Sequence, residues 1–376
     1  MPYRLLVADG VLALPGGPMR AALLCDANRI VAIGREVEDP AAAVLDAQGL
    51  TVAPGFVEIH VHGGGGASFL PPGPGALERY ARWAPAHGVT AFAASVAAPS
   101  VESLVAALQL PFAGSPEGAD FLGFHLEGPF LNPARRGAFP AEWLTLPDRG
   151  LFERLAEAAG GRLRMMTVAP ELPGAADVAR AAEEAGVVLA LGHTDASFGQ
   201  AADALQGAFT HVTHLFNAMR PFHHRDGGPV AAALLSGATC ELIADGEHVA
   251  PEVLRLAYRV LGPSRAVLVS DAVPASGPGP IARTADGTIA GSLLPFDEHA
   301  RRAAALLGVD VSALVRLCSA NPARALGVHH RKGSIERGMD ADLILLDREL
   351  RVVATVCRGR VAFLSEPHRF RAAPSR

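Results

Sequence analysis

Eight short β-rich runs, separated by stretches with helical spacing, occupy residues 54 to 320 and constrain this chain more than any other feature. They are FVEIHVH (56–62), TAFAASV (90–96), FLGFHLE (121–127), RMMTVA (164–169), VVLALGH (187–193), FTHVTH (209–214), CELIAD (240–245) and AVLVSD (266–271). Between them lie segments such as GALERYARWAPAHG, DRGLFERLAEAAG, AADVARAAEEAG and APEVLRLAYRVLG, several closed by a glycine that stops the helix. Eight β/α units predict an α/β fold, a (β/α)8 TIM barrel over residues 54–331, with its active site at the C-terminal ends of the strands. Residues 1–53 and 332–376 read as alternating β segments flanking the barrel.

The unusual residues fall at the strand ends. Strand one ends in His60 and His62, which alternation places on one side together with Glu58. That pair alone leaves two readings open: ligands for a metal, or polar residues on a half-exposed strand beside a glycine turn. Strand three ends in Glu127, strand five in His193, strand six in His214 and strand eight in Asp271. By contrast His87, His299, His329 and His330 lie in helices or a loop and read as solvated or structural, and His125 and His211 as supporting residues. Four imidazoles and two carboxylates at one barrel mouth suit one or two divalent ions: zinc first, with iron, manganese or cobalt as alternatives. The only lysine, Lys332, lies beyond the barrel, which leaves Glu127 as the available bridging ligand. The glycines after His62 are expected to let backbone pass close to the ions and substrate.

Composition narrows the partners. A net charge of −5 argues against nucleic acid. There is no uncharged apolar run of about 18 residues, and the first residues lack a basic leader with an apolar stretch. A soluble cytoplasmic protein without membrane contact is the expectation. Cys25, Cys240, Cys318 and Cys357 are far apart, in no CxxC arrangement, and read as buried free thiols.

PGFVEIHVHGGGG, GFHLEGPFLNPARRGA, LGHTDA, THLFNAM, IADGEHV, VSDAVPA and NPARALGV, in that order, resemble the motifs of the N-acetylglucosamine-6-phosphate deacetylase family of metal-dependent amidohydrolases. RKGSIERGMDADLILLD resembles the C-terminal segment of amidohydrolases, which implies a small β-sandwich domain built by residues 1–53 and 332–376. The resemblance implies hydrolysis of the acetamide of N-acetyl-D-glucosamine 6-phosphate to D-glucosamine 6-phosphate and acetate, in amino-sugar catabolism. It also implies a homodimer. Glu127, His193 and His214 would hold the main metal, and the retained His60 and His62 a second position, with Asp271 as ligand and as general base and acid. Asn217, Ala218, His248 and the stretch Ile289, Ala290, Gly291 match substrate-contacting positions, as does Arg225, whose planar fork suits a phosphate and whose counterpart reaches across a dimer interface.

Two departures stand out. Where the family has a substrate-contacting histidine, after LEGPFLNPARRGA, this chain has Phe139 beside Ala138, and phenylalanine cannot donate a hydrogen bond to the acetyl carbonyl. The segment between Asp271 and Ile289 also reads as shorter than usual. Both keep open an amidohydrolase for a different N-acyl sugar or N-acyl amino acid. A non-enzymatic metal-binding relative is a further alternative, which would predict decay of a ligand set that is here complete.

Overall fold

The computed structural model describes residues 3–275 and 278–373. The eight strands are β1 (Phe56–Val61), β2 (Val89–Val96), β3 (Asp120–Glu127), β4 (Leu163–Val168), β5 (Val188–Leu191), β6 (Phe209–Val212), β7 (Thr239–Ile243) and β8 (Ala266–Val269). They follow one another around a parallel sheet in sequence order. Several ladders stop one or two residues before the sequence runs do. The cause is local: His193, His214 and Asp271 take left-handed backbone, with φ of 48°, 24° and 49°, and turn off the strand.

β8 and β1 close the barrel at its mouth. Asp271 N–H donates to the His60 carbonyl at 3.0 Å, and His62 N–H to the Ala272 carbonyl at 2.8 Å. Just below, the buried Glu58 carboxyl accepts the backbone N–H of His60 at 3.0 Å and of Ser270 at 3.1 Å. The barrel interior is filled by residues such as Ile59, Ala93, Met165, Ile243 and Val267, and Ala323, Leu326 and Val328 pack into the same cluster. These buried side chains make the interior a packed core, each larger aliphatic group contributing roughly 1.5 to 3 kcal/mol on burial.

A helix follows each strand, and its ends are written locally. Ser100 and Asp148 accept N–H groups of Ser103 (3.2 Å) and Leu151 (2.7 Å) at helix starts, and Ser197 with Gln200 forms a capping box. Gly160 and Gly308 end their helices in left-handed backbone, with φ of 57° and 65°. No helix among the described residues is long and apolar enough to cross a membrane.

Strands from both termini share one further sheet. The long strand Arg4–Leu14 pairs on one side with Gly17–Asp26, the register shifting between Val7 and Gly10, and on the other with Ala43–Asp46 through its first half and Thr51–Pro54 through its second. Thr51–Pro54 in turn pairs with Leu343–Leu346, so the chain leaves this sheet for β1 and returns to it after the barrel. Lys332 ties the two units together. Its buried ammonium meets Asp342 at 2.5 Å, Asp340 at 2.9 Å and Asp120, from β3, at 3.1 Å. Burial alone would lower its pKa, but the three carboxylates outweigh that and raise it.

The glycine run after His62 serves packing rather than ligand approach. A Cβ on Gly64 or Gly65 would lie 2.5 Å or 2.2 Å from the Trp83 indole, and one on Gly63 would lie 2.3 Å from the Ala67 carbonyl oxygen. All four glycines have positive φ, and none lines the cavity above the barrel. The cysteines are free and buried as expected, and burial pushes the Cys25 and Cys240 thiols up to about 12.

Candidate metal centre

Two clusters at the barrel mouth share one carboxylate. Glu127 Oε1 lies 2.9 Å from His214 Nε2 and 3.1 Å from His193 Nε2, while its Oε2 lies 2.9 Å from His62 Nε2. His60 Nε2 is 3.5 Å from Glu127 Oε1, and Asp271 Oδ1 stands 3.4 Å from His62 Nε2 and 3.6 Å from His60 Nε2. The six residues proposed as ligands from their strand-end positions therefore converge. All are buried.

Outer partners decide what the rings present inward. His62 Nδ1 is 2.9 Å from the Ser95 carbonyl and His193 Nδ1 2.9 Å from the Arg135 carbonyl; carbonyls only accept, so each Nδ1 carries the proton and donates it. His60 Nδ1 likewise faces the Glu241 carboxylate at 2.8 Å. In the neutral rings the inward Nε2 atoms then carry bare lone pairs. His193 Nε2 and His214 Nε2 face each other at 3.1 Å, and the buried His60 Nε2 has no hydrogen-bond partner. Converging lone pairs of this kind suit a cation, and a set of imidazoles and carboxylates suits a divalent one.

The electrostatics agree. Burial alone would lower His60 and His214, yet Glu241 and Glu127 hold His60 well above its ordinary value, and Glu127 raises His214. Burial would raise Glu127 and Glu241, but the surrounding imidazoles, His60 foremost, hold both well below the usual carboxylate range. The site draws positive charge. His193 is lowered, chiefly by burial.

The supporting shell was only partly foreseen. His125 is indeed supportive, with Nδ1 2.9 Å from Ser95 Oγ and Nε2 2.8 Å from Thr167 Oγ1, and burial lowers its pKa well below the ordinary value. His211 reaches Glu241 Oε1 at 3.0 Å. Glu241 itself was missed, although a charge in the middle of the apolar run CELIAD was a usable signal. Asp245 was missed too: it holds His248 Nδ1 at 2.5 Å, and that contact keeps Asp245 at about 2 although burial would raise it.

Above the clusters opens a cavity of about 440 Å³. Ala138, Phe139, Asn217, Ala218, His248, Ile289, Ala290 and Gly291 line it. Leu70, Trp143, Thr284 and Thr288 line it as well and had no distinguishing mark in the sequence. Arg225 is exposed and is not among the lining residues. Phe139 lies close to two of the candidate ligands, its ring centroid 5.5 Å from that of His193 and 6.4 Å from that of His62.

A parallel (β/α)8 barrel with an imidazole and carboxylate cluster at its mouth has the architecture of TIM-barrel enzymes that work with a metal. The model of the Amidohydrolase family matches residues 51–362. The N-acetylglucosamine-6-phosphate deacetylase of Bacillus subtilis (strain 168) is 36% identical over 354 residues, 88% of each chain, and that of Bos taurus 35% over 385 residues. Among solved structures, a mutant N-acetyl-D-glucosamine-6-phosphate deacetylase of Mycobacterium smegmatis, in complex with N-acetyl-D-glucosamine-6-phosphate, superposes with a TM-score of 0.87 at 33% identity. That match covers 96% of this chain and 99% of the other. The Thermotoga maritima enzyme of the same name gives a TM-score of 0.84 at 28% identity. The chain belongs to the amidohydrolase family, and within it to the N-acetylglucosamine-6-phosphate deacetylases.

Proposed function

We propose that this chain hydrolyses the acetamide of N-acetyl-D-glucosamine 6-phosphate, releasing acetate and D-glucosamine 6-phosphate. The observation that carries the reading is the pair of clusters sharing Glu127 beneath a cavity large enough for a phosphosugar. Glu127, His193 and His214 would hold one divalent ion and Glu127, His60 and His62 a second, zinc being the ion this donor set suits best. A bound ion would polarise the acetyl carbonyl and lower the pKa of a water towards about 7.

The chain's own residues do the rest. Asp271 projects from the end of β8 beside His60 and His62 and takes a proton as the water oxygen bonds to the carbonyl carbon. It returns that proton to the nitrogen as the C–N bond breaks, so that the amine leaves neutral. His248, fixed by Asp245, faces Asp271 Oδ2 at 3.8 Å and is placed to orient the sugar. Asn217 and Ala218 flank the same space. Arg225, exposed on the loop that follows them, would bind the phosphate across a homodimer interface into the partner's cavity. A doubly charged phosphosugar does not diffuse through a bilayer, which fits a cytoplasmic site of action.

Acetate release from N-acetyl-D-glucosamine 6-phosphate and from its unphosphorylated form, by protein of measured metal content, tests the reading. Turnover of the phosphorylated substrate is the expected result. No release from either substrate with metal bound would overturn it.

A further inference from the structure

A second, much smaller space lies behind the wall of the main cavity. Glu127, Phe139 and Trp143 border both. Beyond them the recess is closed by Ala97 and Ala98 after β2, Leu104 from the following helix, Pro129 and Leu144. It leaves about 10 Å³ for the centre of a water- or methyl-sized group. Apart from Glu127 the side chains that line it are apolar, so it offers a water few side-chain partners.

We infer that this recess receives the alkyl end of the substrate's acyl group and that Phe139, Trp143, Leu104 and Leu144 limit that group to a single methyl. The inference rests on the deacetylase reading and specifies its acyl selectivity. Glu127, common to both clusters, borders the recess as well as the cavity, so a carbonyl carbon set for attack beside Glu127 has its alkyl substituent directed either back into the sugar cavity or into this recess. The sugar occupies the first. The apolar lining favours the second.

The walls are held in place. Arg136 donates to the Phe139 carbonyl at 2.7 Å, and the Phe139 ring packs against Trp143 with centroids 6.3 Å apart. Ala97, Ala98 and Leu104 are buried at 5%, 3% and 2% exposure, so the floor cannot yield without moving the barrel and its first helices. Phenylalanine at 139 thus brings a gain to set against its missing hydrogen bond: it completes an apolar wall that an imidazole would leave polar.

The test is a series of N-formyl, N-acetyl, N-propionyl and N-butyryl glucosamine 6-phosphates, read as kcat/KM, beside binding of formate, acetate, propionate and butyrate to the metal-loaded protein. Acetyl should exceed propionyl by about 10- to 100-fold, the worth of one misplaced methylene, and butyryl should fare worse. Leu104→Ala and, independently, the half-buried Leu144→Ala should raise the propionyl to acetyl ratio by about tenfold or more, whereas Ala98→Val should lower acetyl relative to formyl. An acyl series that is flat in the unaltered protein, or ratios that no variant moves, would overturn the recess while leaving the deacetylase reading intact. If no phosphosugar is hydrolysed but the carboxylates keep the order acetate, propionate, butyrate, the sugar reading falls and the recess stands.

Discussion

Replacing Glu241 by glutamine separates the two cation positions. Glu241 is buried in β7 and accepts three contacts: His60 Nδ1 at 2.8 Å and His214 N–H at 2.8 Å on Oε2, and His211 Nε2 at 3.0 Å on Oε1. Glutamine fits this geometry. Its carbonyl oxygen can take the two donors, and its NH2 can face His211, whose other nitrogen meets the adaptable hydroxyl of Thr239 at 2.6 Å. What is lost is the negative charge that makes His60 a strong donor ligand. Changes to such outer partners typically weaken metal binding about 10- to 100-fold, which is about 1.4 to 2.8 kcal/mol. The His193, His214 and Glu127 position touches Glu241 only through a backbone N–H and should weaken far less. Titrating zinc into metal-free Glu241→Gln protein against a chromophoric chelator should therefore show one weakened and one nearly unchanged site. Two unchanged sites, or two sites weakened equally, would refute the argument that Glu241 acts through His60.

Phe139→His should raise acetate release toward the ~10²-fold that a single oxyanion donor is worth, and an unchanged rate would show that the carbonyl is polarised without it. Lys332→Met leaves Asp342 without its buried cation and Asp120 and Asp340 with Arg331 alone, and should cost about 3 to 5 kcal/mol in denaturant unfolding, an unchanged midpoint counting against it. Burial holds His299 at about 4, with its Nε2 2.9 Å from Ser292 Oγ, whereas the unfolded chain protonates it near 6.5. Between those values the unfolded state binds the extra proton, so stability falls on acidification from about pH 6.5 to 4, by on the order of 3 kcal/mol. A His299→Gln variant should lose that part of the pH dependence of unfolding, and an identical pH profile would count against it.

The barrel was legible because its signal repeats: eight apolar runs with helical spacers leave few other folds, and the ligands stand where each run meets polar sequence. The ends were less legible. Residues 192 to 193, 213 to 214 and 270 to 271 continue the runs in composition but leave the ladders in space, since the site needs left-handed backbone there and no sequence pattern marks a non-glycine residue for that. The glycines after His62 were legible as conformational freedom but not as to purpose, because Trp83, the group that Gly64 and Gly65 pack against, is 19 and 18 residues away in sequence. Leu70, Trp143 and Thr288 reach the cavity from separate loops, and only the folded chain brings them together. Arg225, read from the resemblance as a phosphate contact, lies outside the cavity lining of its own chain.

The same residues close the barrel and form the site, and Asp271 makes that coupling testable. Its N–H donates to the His60 carbonyl and its carbonyl accepts from Ser292 N–H at 2.8 Å, while its left-handed φ of 49° swings the carboxylate over the clusters. Asparagine tolerates this conformation as aspartate does, but alanine pays roughly 1 to 2 kcal/mol for it. Asp271→Asn should therefore keep the thermal stability of the metal-free protein and lower acetate release by about 10² to 10⁴, the usual worth of a positioned proton carrier. Asp271→Ala should show the same loss of rate together with a lowered melting temperature. Equal melting temperatures in the two variants would mean that the backbone at 271 is not strained, and substantial turnover by the asparagine variant would mean that the proton travels by another group.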